Sequence, residues 1–250
     1  MIERRMKLIK DCSIDDKISV AELSVKYHVS QVTIRNDLRI LQKDGLVRRI
    51  HGGASSNSDE FIVNRLNINY ETKMQIAERA AQIVNSGETI IIESGSTNAL
   101  LAKKLGETKD VTIITNSCFI ANYVRDIPNI NIILLGGNYQ ADSEVCVGPL
   151  TRQGLQSFYV DKLFIGTDGF SDENGFTCVN LLRAEVVSAM AKRSVSSIVL
   201  TDSSKFSQRG VASQLSLSEV NTVITDDKIP DSARSALERN GILVITVPLK

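Results

Sequence analysis

From residue 18 the apolar positions fall into two short helical stripes separated by a polar turn. Val20, Leu23 and Val25 are the apolar positions of the first helix, and Ser19 stands where an N-cap is wanted. Tyr27-His28-Val29 reads as the turn. Ser30 then caps a longer helix in which Ile34, Leu38 and Leu41 recur at i, i+4 and i+7, one buried stripe. Residues 2–12 predict a preceding helix with Ile2, Met6 and Ile9 on one face. Leu46–Ile50 alternates as a short strand should, and Gly52-Gly53 permits a sharp exit that a Cβ would resist.

The small polar run 55–60, SSNSDE, reads as a linker, and residues 61–69 show no clear period. A helix is expected from Glu71 to about Asn85, with Ile76, Ala80, Ile83 and Val84 inward and Gly87 as its stop. Beyond it, short apolar runs alternate with helical ones. The strands are Thr89–Ile92, Val111–Thr115, Ile130–Leu135, Lys162–Ile165, Ser197–Leu200, Thr222–Thr225 and Leu243–Val247. The helices between and after them fall near 97–105, 117–125, 150–157, 181–193 and 231–239. Unbroken Ile/Val/Leu runs suit strands covered on both faces, so the sheet is expected to be mainly parallel in a doubly wound, Rossmann-like α/β domain. The division that follows is 1–56 for a small helical domain and 57–250 for the larger one.

The solvent side of the second helix of the pair carries the first candidate chemistry. Ser30, Gln31, Thr33, Arg35, Asn36 and Arg39 lie off the apolar stripe, accompanied by Val32 and Ile40. Gln and Asn can bond both edges of adenine, Arg can fork onto guanine, and Thr can touch a thymine methyl. An ordinary solvated helix face could hold the same residues. The turn spacing, the Ser cap and the basic tail Arg48-Arg49, with His51 beyond it, favour double-stranded DNA, with the tail on phosphate or in the minor groove.

Charge agrees with that division. The net charge of zero conceals 11 Lys/Arg against 7 Asp/Glu in residues 1–56, and 18 against 22 in residues 57–250. A basic module joined to an acidic one suits a nucleic-acid reader carrying a second task. No apolar run approaches the ~20 residues of a membrane helix, and MIERRMKLIK lacks a signal-peptide core, so a cytoplasmic protein is expected. Cys12, Cys118, Cys146 and Cys178 lie far apart and the only histidines are His28 and His51, which argues for buried free thiols and against a metal site.

The second candidate site follows from the strands. In such sheets a ligand sits beyond the carboxyl ends of the strands. There the chain places Glu93-Ser94-Gly95-Ser96-Thr97, then Asn116-Ser117, Gly136-Gly137-Asn138, Gly166-Thr167-Asp168-Gly169 and Asp202-Ser203-Ser204-Lys205. Small hydroxyl residues opening a helix present free N–H groups to an anion, and Lys205 could add a charge. Loops of this composition are often no more than turns and caps; five on one sheet edge favour a small anionic ligand. Neither G-x-G-x-x-G nor G-x-x-x-x-G-K-[ST] occurs, which disfavours dinucleotides and nucleoside triphosphates, and no cofactor is expected.

The run VSQVTIRNDLRILQKDGLVRRIHGGA resembles the N-terminal winged helix-turn-helix of the DeoR family of bacterial transcription regulators. Asn36 stands where the family pattern often has a second Arg, which implies a change in the bases read and leaves DNA binding intact. ESGSTN, TNS, LLGG, VG, DKLFIGTDG and DSSKF resemble the effector domain of the same family, so the likeness covers almost the whole chain. It implies a fold related to ribose 5-phosphate isomerase and release from an operator by a phosphorylated sugar or polyol; a homo-oligomer (dimer or tetramer) is expected because one helix reading a few base pairs gives too little specificity. Carried over by position, phosphate would lie at Gly95, Ser96 and Thr97, with sugar hydroxyls facing Asn116, Asp168 and Glu185 and with Lys205 nearby; the loop Gly136-Gly137 belongs to the same expected edge. The rival reading is a sugar-phosphate isomerase with a DNA-binding appendage, using Glu185 or Asp168 as base and Lys205 as acid. Against it, the isomerase's glycine-rich stretch and lysine are missing, and Asn180-Leu181-Leu182-Arg183 precedes Glu185.

Overall fold

The structure, a computed structural model, describes residues 4, 8, 11, 18–43, 48–50, 53–55 and 62–249. The chain packs as two units, Met1–Tyr70 and Glu71–Lys250. The expected junction at 56/57 therefore falls earlier than the division the packing makes.

In the first unit Val20–Lys26 (α1) and Gln31–Lys43 (α2) form the helical pair. Ser19 and Glu22 make a capping box at the start of α1: the Ser19 hydroxyl accepts from the Glu22 N–H (3.1 Å) and the Glu22 carboxylate from the Ser19 N–H (2.7 Å). The turn is closed by His28 in a left-handed conformation (φ 51°), while the Val29 N–H returns to the Ser24 carbonyl and the Ser24 hydroxyl donates to the Val29 carbonyl. Val20, Leu23, Ile34, Leu38 and Leu41 are buried with Leu8, but Val25 is 75% exposed and does not join the core. The reason is phase: Val25 follows Leu23 by two residues, about 200° round a helix. Of the helix expected over 2–12, Arg4, Leu8 and Asp11 are described and helical; Ile2, Met6 and Ile9 lie outside the described residues. Arg4 holds the buried Asp37 of α2 at 2.7 Å.

Arg48–Ile50 (β2) pairs antiparallel with Gly53–Ser55 (β3), and β3 pairs with Ile18–Ser19 (β1), a short strand the apolar pattern did not announce. Ser55, expected to begin the linker, closes β3; residues 56–61 lie outside the described ones. Ile62–Asn67 (α3) is a helix with Ile62 and Leu66 buried, so the stretch without apparent period contains a one-turn i, i+4 pair.

The helix Tyr70–Ala81 (α4) begins at the last residue of the first unit, and in the second unit all seven expected strands align in one parallel sheet. They are Thr89–Ile92 (β4), Val111–Thr115 (β5), Ile130–Leu134 (β6), Val160–Ile165 (β9), Ser194–Leu200 (β12), Thr222–Asp226 (β14) and Leu243–Val247 (β15). Their order is β15-β14-β12-β9-β4-β5-β6, every neighbouring pair being parallel. The chain thus starts in the middle, winds outward through β5 and β6, then returns to β4's other side with β9. Between β4 and β9 lies the topological switch point, where the crevice of an open α/β sheet forms. Ile90, Ile91 and Ile92 of β4 are fully buried, each contributing about 1.5–3 kcal/mol. The strand that carries the crevice is thereby anchored.

The helices of this unit are Ser96–Thr108 (α5), Cys118–Tyr123 (α6), Pro149–Leu155 (α7), Leu181–Ala191 (α8) and Asp231–Arg239 (α9). Two small sheets were not foreseen. Asn138–Gln140 (β7) pairs with Val145–Val147 (β8), and Gly169–Ser171 (β10), Gly175–Cys178 (β11) and Ala212–Leu215 (β13) form an antiparallel trio. Phe170, Phe176 and Phe206 fasten the trio to the core, with ring centroids 5.3 Å apart for Phe170–Phe176 and Phe170–Phe206.

Candidate DNA-reading face and candidate effector site

On α2 the residues off the apolar stripe stand in solvent. Gln31, Val32, Arg35, Asn36 and Arg39 are exposed, while Thr33 and Ile40 are half-buried. The Ser30 hydroxyl accepts from the Thr33 N–H (3.1 Å), so Ser30 is occupied as the cap it was expected to be. The Arg35 guanidinium donates to Gln31 Oε1 (3.2 Å), a contact on one face of the helix at i, i+4 that presents both groups together. Arg48 and Arg49 lie on β2, the wing strand, and His51 lies outside the described residues.

At the switch point, Gly95 is the N-cap of α5 and takes φ 123°, ψ 151°, a positive-φ conformation that glycine alone enters cheaply. No side chain caps the helix there, which leaves the first-turn N–H groups of Ser96, Thr97 and Asn98 without the usual capping oxygen. Ser96, Thr97 and Asn98 are buried. Asn98 Nδ2 donates to the carbonyls of Ser94 (2.9 Å), Glu93 (3.3 Å) and Phe164 (3.4 Å), tying the end of β4 to β9. Its Oδ1 has no partner.

Beside this helix end Glu93 and Arg183 are buried, with the partly buried Asp168 completing an ionisable trio. Arg183, in the first turn of α8, is 5% exposed. Its guanidinium lies 3.7 Å from Glu93 and 3.9 Å from Asp168, and Nη2 donates to the Ser94 hydroxyl at 3.3 Å. Ser94 in turn donates to Glu93 Oε1 (2.6 Å). Burial pushes the Glu93 carboxyl above the usual carboxylate range, against the pull of Arg183. For Arg183, burial works towards loss of the proton, but Glu93 and Asp168 outweigh it and hold the guanidinium charged. The helix dipole disfavours a cation in a first turn, so Arg183 stays there because the two carboxylates do.

Asp168, on the loop after β9, accepts from the Val179 N–H (3.2 Å), and its own N–H donates to the Thr177 carbonyl (3.0 Å). Asn116 is fully buried; Nδ2 donates to the Cys146 carbonyl (2.9 Å), and Oδ1 is unpartnered. Gly136 and Gly137 follow the edge strand β6. The Gly136 carbonyl accepts from the Thr151 hydroxyl (2.9 Å), and a Cβ on Gly137 would collide with Thr151 and the Val147 carbonyl, so this loop is committed to packing on α7.

Two expected residues keep other company. Glu185 forms an ion pair with Arg152 at 2.9 Å on the half-exposed faces of α7 and α8, rather than joining the trio. Lys205, in the 3-10 turn Ser203–Ser207, donates to Gln208 Oε1 (3.0 Å). What the sequence reading missed is Arg183 with Glu93. A signal for the arginine existed: Arg183 falls on the same helical stripe as Val187 and Met190, which are fully buried. An arginine on an apolar stripe needs a carboxylate inside the fold. The cysteines also depart in part from expectation, since Cys118 is half-exposed, whereas Cys146 and Cys178 are buried and all three are free; Cys12 lies outside the described residues. Burial and the neighbouring Cys146 push the Cys118 thiol up to about 11.

A helix-turn-helix with a β wing, followed by a parallel α/β domain with an uncapped helix N-terminus at its switch point, defines a DNA-binding regulator that carries a sensor domain. Residues 4–60 match the DeoR-like helix-turn-helix domain and residues 68–227 the DeoR C terminal sensor domain. The chain belongs to the DeoR family of transcription regulators, and it is a regulator rather than an enzyme. The HTH-type transcriptional regulator GolR of Listeria innocua is 34% identical, over 97% of each chain. The L-fucose operon activator of Haemophilus influenzae is 31% identical, over 92% of this chain and 93% of its own. Ribose 5-phosphate isomerase A of Methanocaldococcus jannaschii covers 55% of each chain at 20% identity with a TM-score of 0.40. Among the described residues no helix is long and apolar enough to cross a membrane.

Proposed function

We propose that this chain represses a sugar- or polyol-catabolic operon and leaves its operator when a phosphorylated sugar or polyol enters the switch-point crevice. The observation that carries the effector is the uncapped N-terminus of α5 at Gly95, buried among polar groups with unfilled hydrogen bonds. Phosphate takes the N–H groups of the Gly95-Ser96-Thr97 turn. Asn116 and Asp168 serve the hydroxyls, with Lys205 at the rim and Gly136-Gly137 shaping the wall. The name of the L-fucose operon activator supports a carbohydrate setting.

Residues 1–56 read DNA and residues 57–250 sense and assemble. In the major groove Gln31, Thr33, Arg35, Asn36 and Arg39 face base edges, Ser30 holds the helix start near the backbone, and Arg48, Arg49 and His51 take phosphate or the minor groove. One helix reads too few base pairs for an operator, so the protein works as a homo-oligomer on repeated half-sites. The effector acts because it prefers an arrangement that cannot set two recognition helices on one DNA site; without that preference it would shift nothing.

The test is thermal melting of the full chain across sugar and polyol phosphates. A ligand at a hundredfold excess over Kd should add about 2.7 kcal/mol to the sensor's stability. The same ligand should release operator DNA, and sedimentation at micromolar concentration should show an oligomer. A panel with no stabilising member would overturn the effector reading, and a monomer bound to a single half-site would overturn the assembly.

A further inference from the structure

The trio at the switch point is under-bonded as it stands. Arg183 is nearly fully buried, yet its carboxylate contacts are long, 3.7 and 3.9 Å, and Nε has no hydrogen-bond partner. Glu93 is 1% exposed and its Oε2 accepts from nothing. A buried donor and a buried acceptor each cost about 1–3 kcal/mol while unsatisfied. They belong to one ion pair, Glu93 and Arg183 at 3.7 Å. Nε–H needs an oxygen lone pair and Oε2 needs an O–H. A hydroxyl supplies both at once, as donor and acceptor, and two adjacent hydroxyls do so over a longer span. Asn98 and Asn116 contribute two more buried acceptors without donors at the same strand ends.

Charge narrows the ligand further. The trio has two carboxyl groups and one guanidinium, so its net charge is −1 with both ionised and zero with one protonated. In neither state is it positive. The cradle for an anion is the turn at Gly95, and the trio is a poor place for a second one.

We propose that Arg183 and Glu93 are specificity-determining residues of the effector site, which read the neutral, hydroxylated end of a monophosphate and reject ligands with a carboxylate or second phosphate at that end. This rests on the effector reading above and narrows it to a class: phosphomonoesters of sugars or polyols, and not phosphorylated sugar acids or bisphosphates. Neither role follows from the phosphate cradle.

The experiment is a melting and calorimetric titration of the full chain with inorganic phosphate, with monophosphates of pentoses, hexoses and hexitols, and with phosphohexonates and hexose bisphosphates. Inorganic phosphate reports the Gly95 cradle alone. A neutral-ended monophosphate should bind more tightly than inorganic phosphate and about 10- to 100-fold more tightly than its acid or bisphosphate counterpart, the range of one buried group left unpaired. Arg183→Lys keeps a cation but removes the Nε donor, and Glu93→Gln keeps the shape but removes an acceptor and a charge. Each should lose that preference while retaining the inorganic-phosphate response. A variant that fails to fold leaves the wild-type ranking as the deciding result. An acid or bisphosphate ranking first in the wild type overturns the proposal, as does a variant that folds and keeps the wild-type ranking. Sugar phosphates no tighter than inorganic phosphate overturn it too, with the cradle intact. A chain that responds to neither inorganic phosphate nor any ester fails at the effector reading itself, and the present proposal falls with it.

Discussion

The guanidinium of Arg183 donates to the Ser94 hydroxyl at 3.3 Å, across 89 positions of sequence. That bond brings the first turn of α8 to the carboxyl end of β4, beside the helix α5 that follows it. Both ends of the contact are buried, so the two elements are held in register by polar chemistry rather than by apolar packing alone.

Gly95 should be the most sensitive position of the cradle. A Cβ there would meet only Asn98 Nδ2 at 3.9 Å, so space is available; the obstacle is φ 123°. Gly95→Ala should therefore cost about 1–3 kcal/mol of stability from backbone strain. Gly95→Asp adds a like charge where phosphate is proposed to sit. Its expected phenotype is a repressor whose operator complex no longer dissociates on adding effector, measured by a DNA-binding titration with and without ligand; normal release would move the phosphate to another loop.

For the DNA face the prediction separates base reading from backbone contact. Arg35→Ala should cost about 1–3 kcal/mol of operator affinity and relax preference at one base pair. Arg48→Ala should weaken all sequences alike and reduce the slope of log K against log salt by about one. Selection from random DNA, run for both variants, distinguishes the two. Unchanged preference in Arg35→Ala would mean that another part of α2 reads the bases.

The Ser19–Glu22 capping box offers a test of the first unit that does not touch either proposed site. Ser19→Ala removes the acceptor for the Glu22 N–H and should destabilise the unit by about 0.5–2 kcal/mol. Ser19→Asp keeps an acceptor and should restore most of that loss. Amide exchange across α1 would report it directly, and equal protection in Ser19→Ala and the parent would show the box to be ornamental.

Acid stability should depend on Glu88 and Lys162, which tie the start of β4 to β9 at 2.7 and 2.8 Å. Burial alone would raise the Glu88 carboxyl, but the Lys162 and Asn85 hydrogen bonds outweigh it, so its folded pKa lies below that of an ordinary glutamate. A depressed folded pKa means that the pair stabilises the native state fully above about 4.5, and that this contribution disappears as pH falls through the folded value. Lys162→Met should lower stability at neutral pH by about 1–3 kcal/mol, between an exposed and a buried pair. The difference between variant and parent should shrink on acidification below 4.5, as measured by urea unfolding at several pH values; a constant gap would assign the effect to packing.

Much of this protein is local and so could be read along the chain. The helix-turn-helix depends on contiguous residues: Ser19 and Ser30 as caps, and a stripe of Ile34, Leu38 and Leu41 that is 0%, 1% and 3% exposed. The seven strands announce themselves because parallel strands buried on both faces need unbroken apolar runs, as in Ile90–Ile92. The short pieces were harder. Ile18–Ser19 and Asn138–Gln140 are too brief for a period of two to show, and they exist only because a partner strand supplies their hydrogen bonds.

What the sequence by itself determined is therefore composition of elements: a basic helical reader, a parallel sheet, and polar loops after its strands. Which loops meet was decided by tertiary structure. Strand β9 pairs with β4 rather than with β6, the large strand before it, and that exchange of neighbours puts the switch point beside Gly95. On α8, Glu185 and Arg183 lie two positions apart and so face different ways, one toward Arg152 at the surface and the other toward Glu93 inside. The choice between them depends on which face of α8 the rest of the fold buries, and a buried charge is tolerable only where a distant part of the chain brings its counter-charge. That pairing is a property of the folded sheet, and no single stretch of the chain contains it.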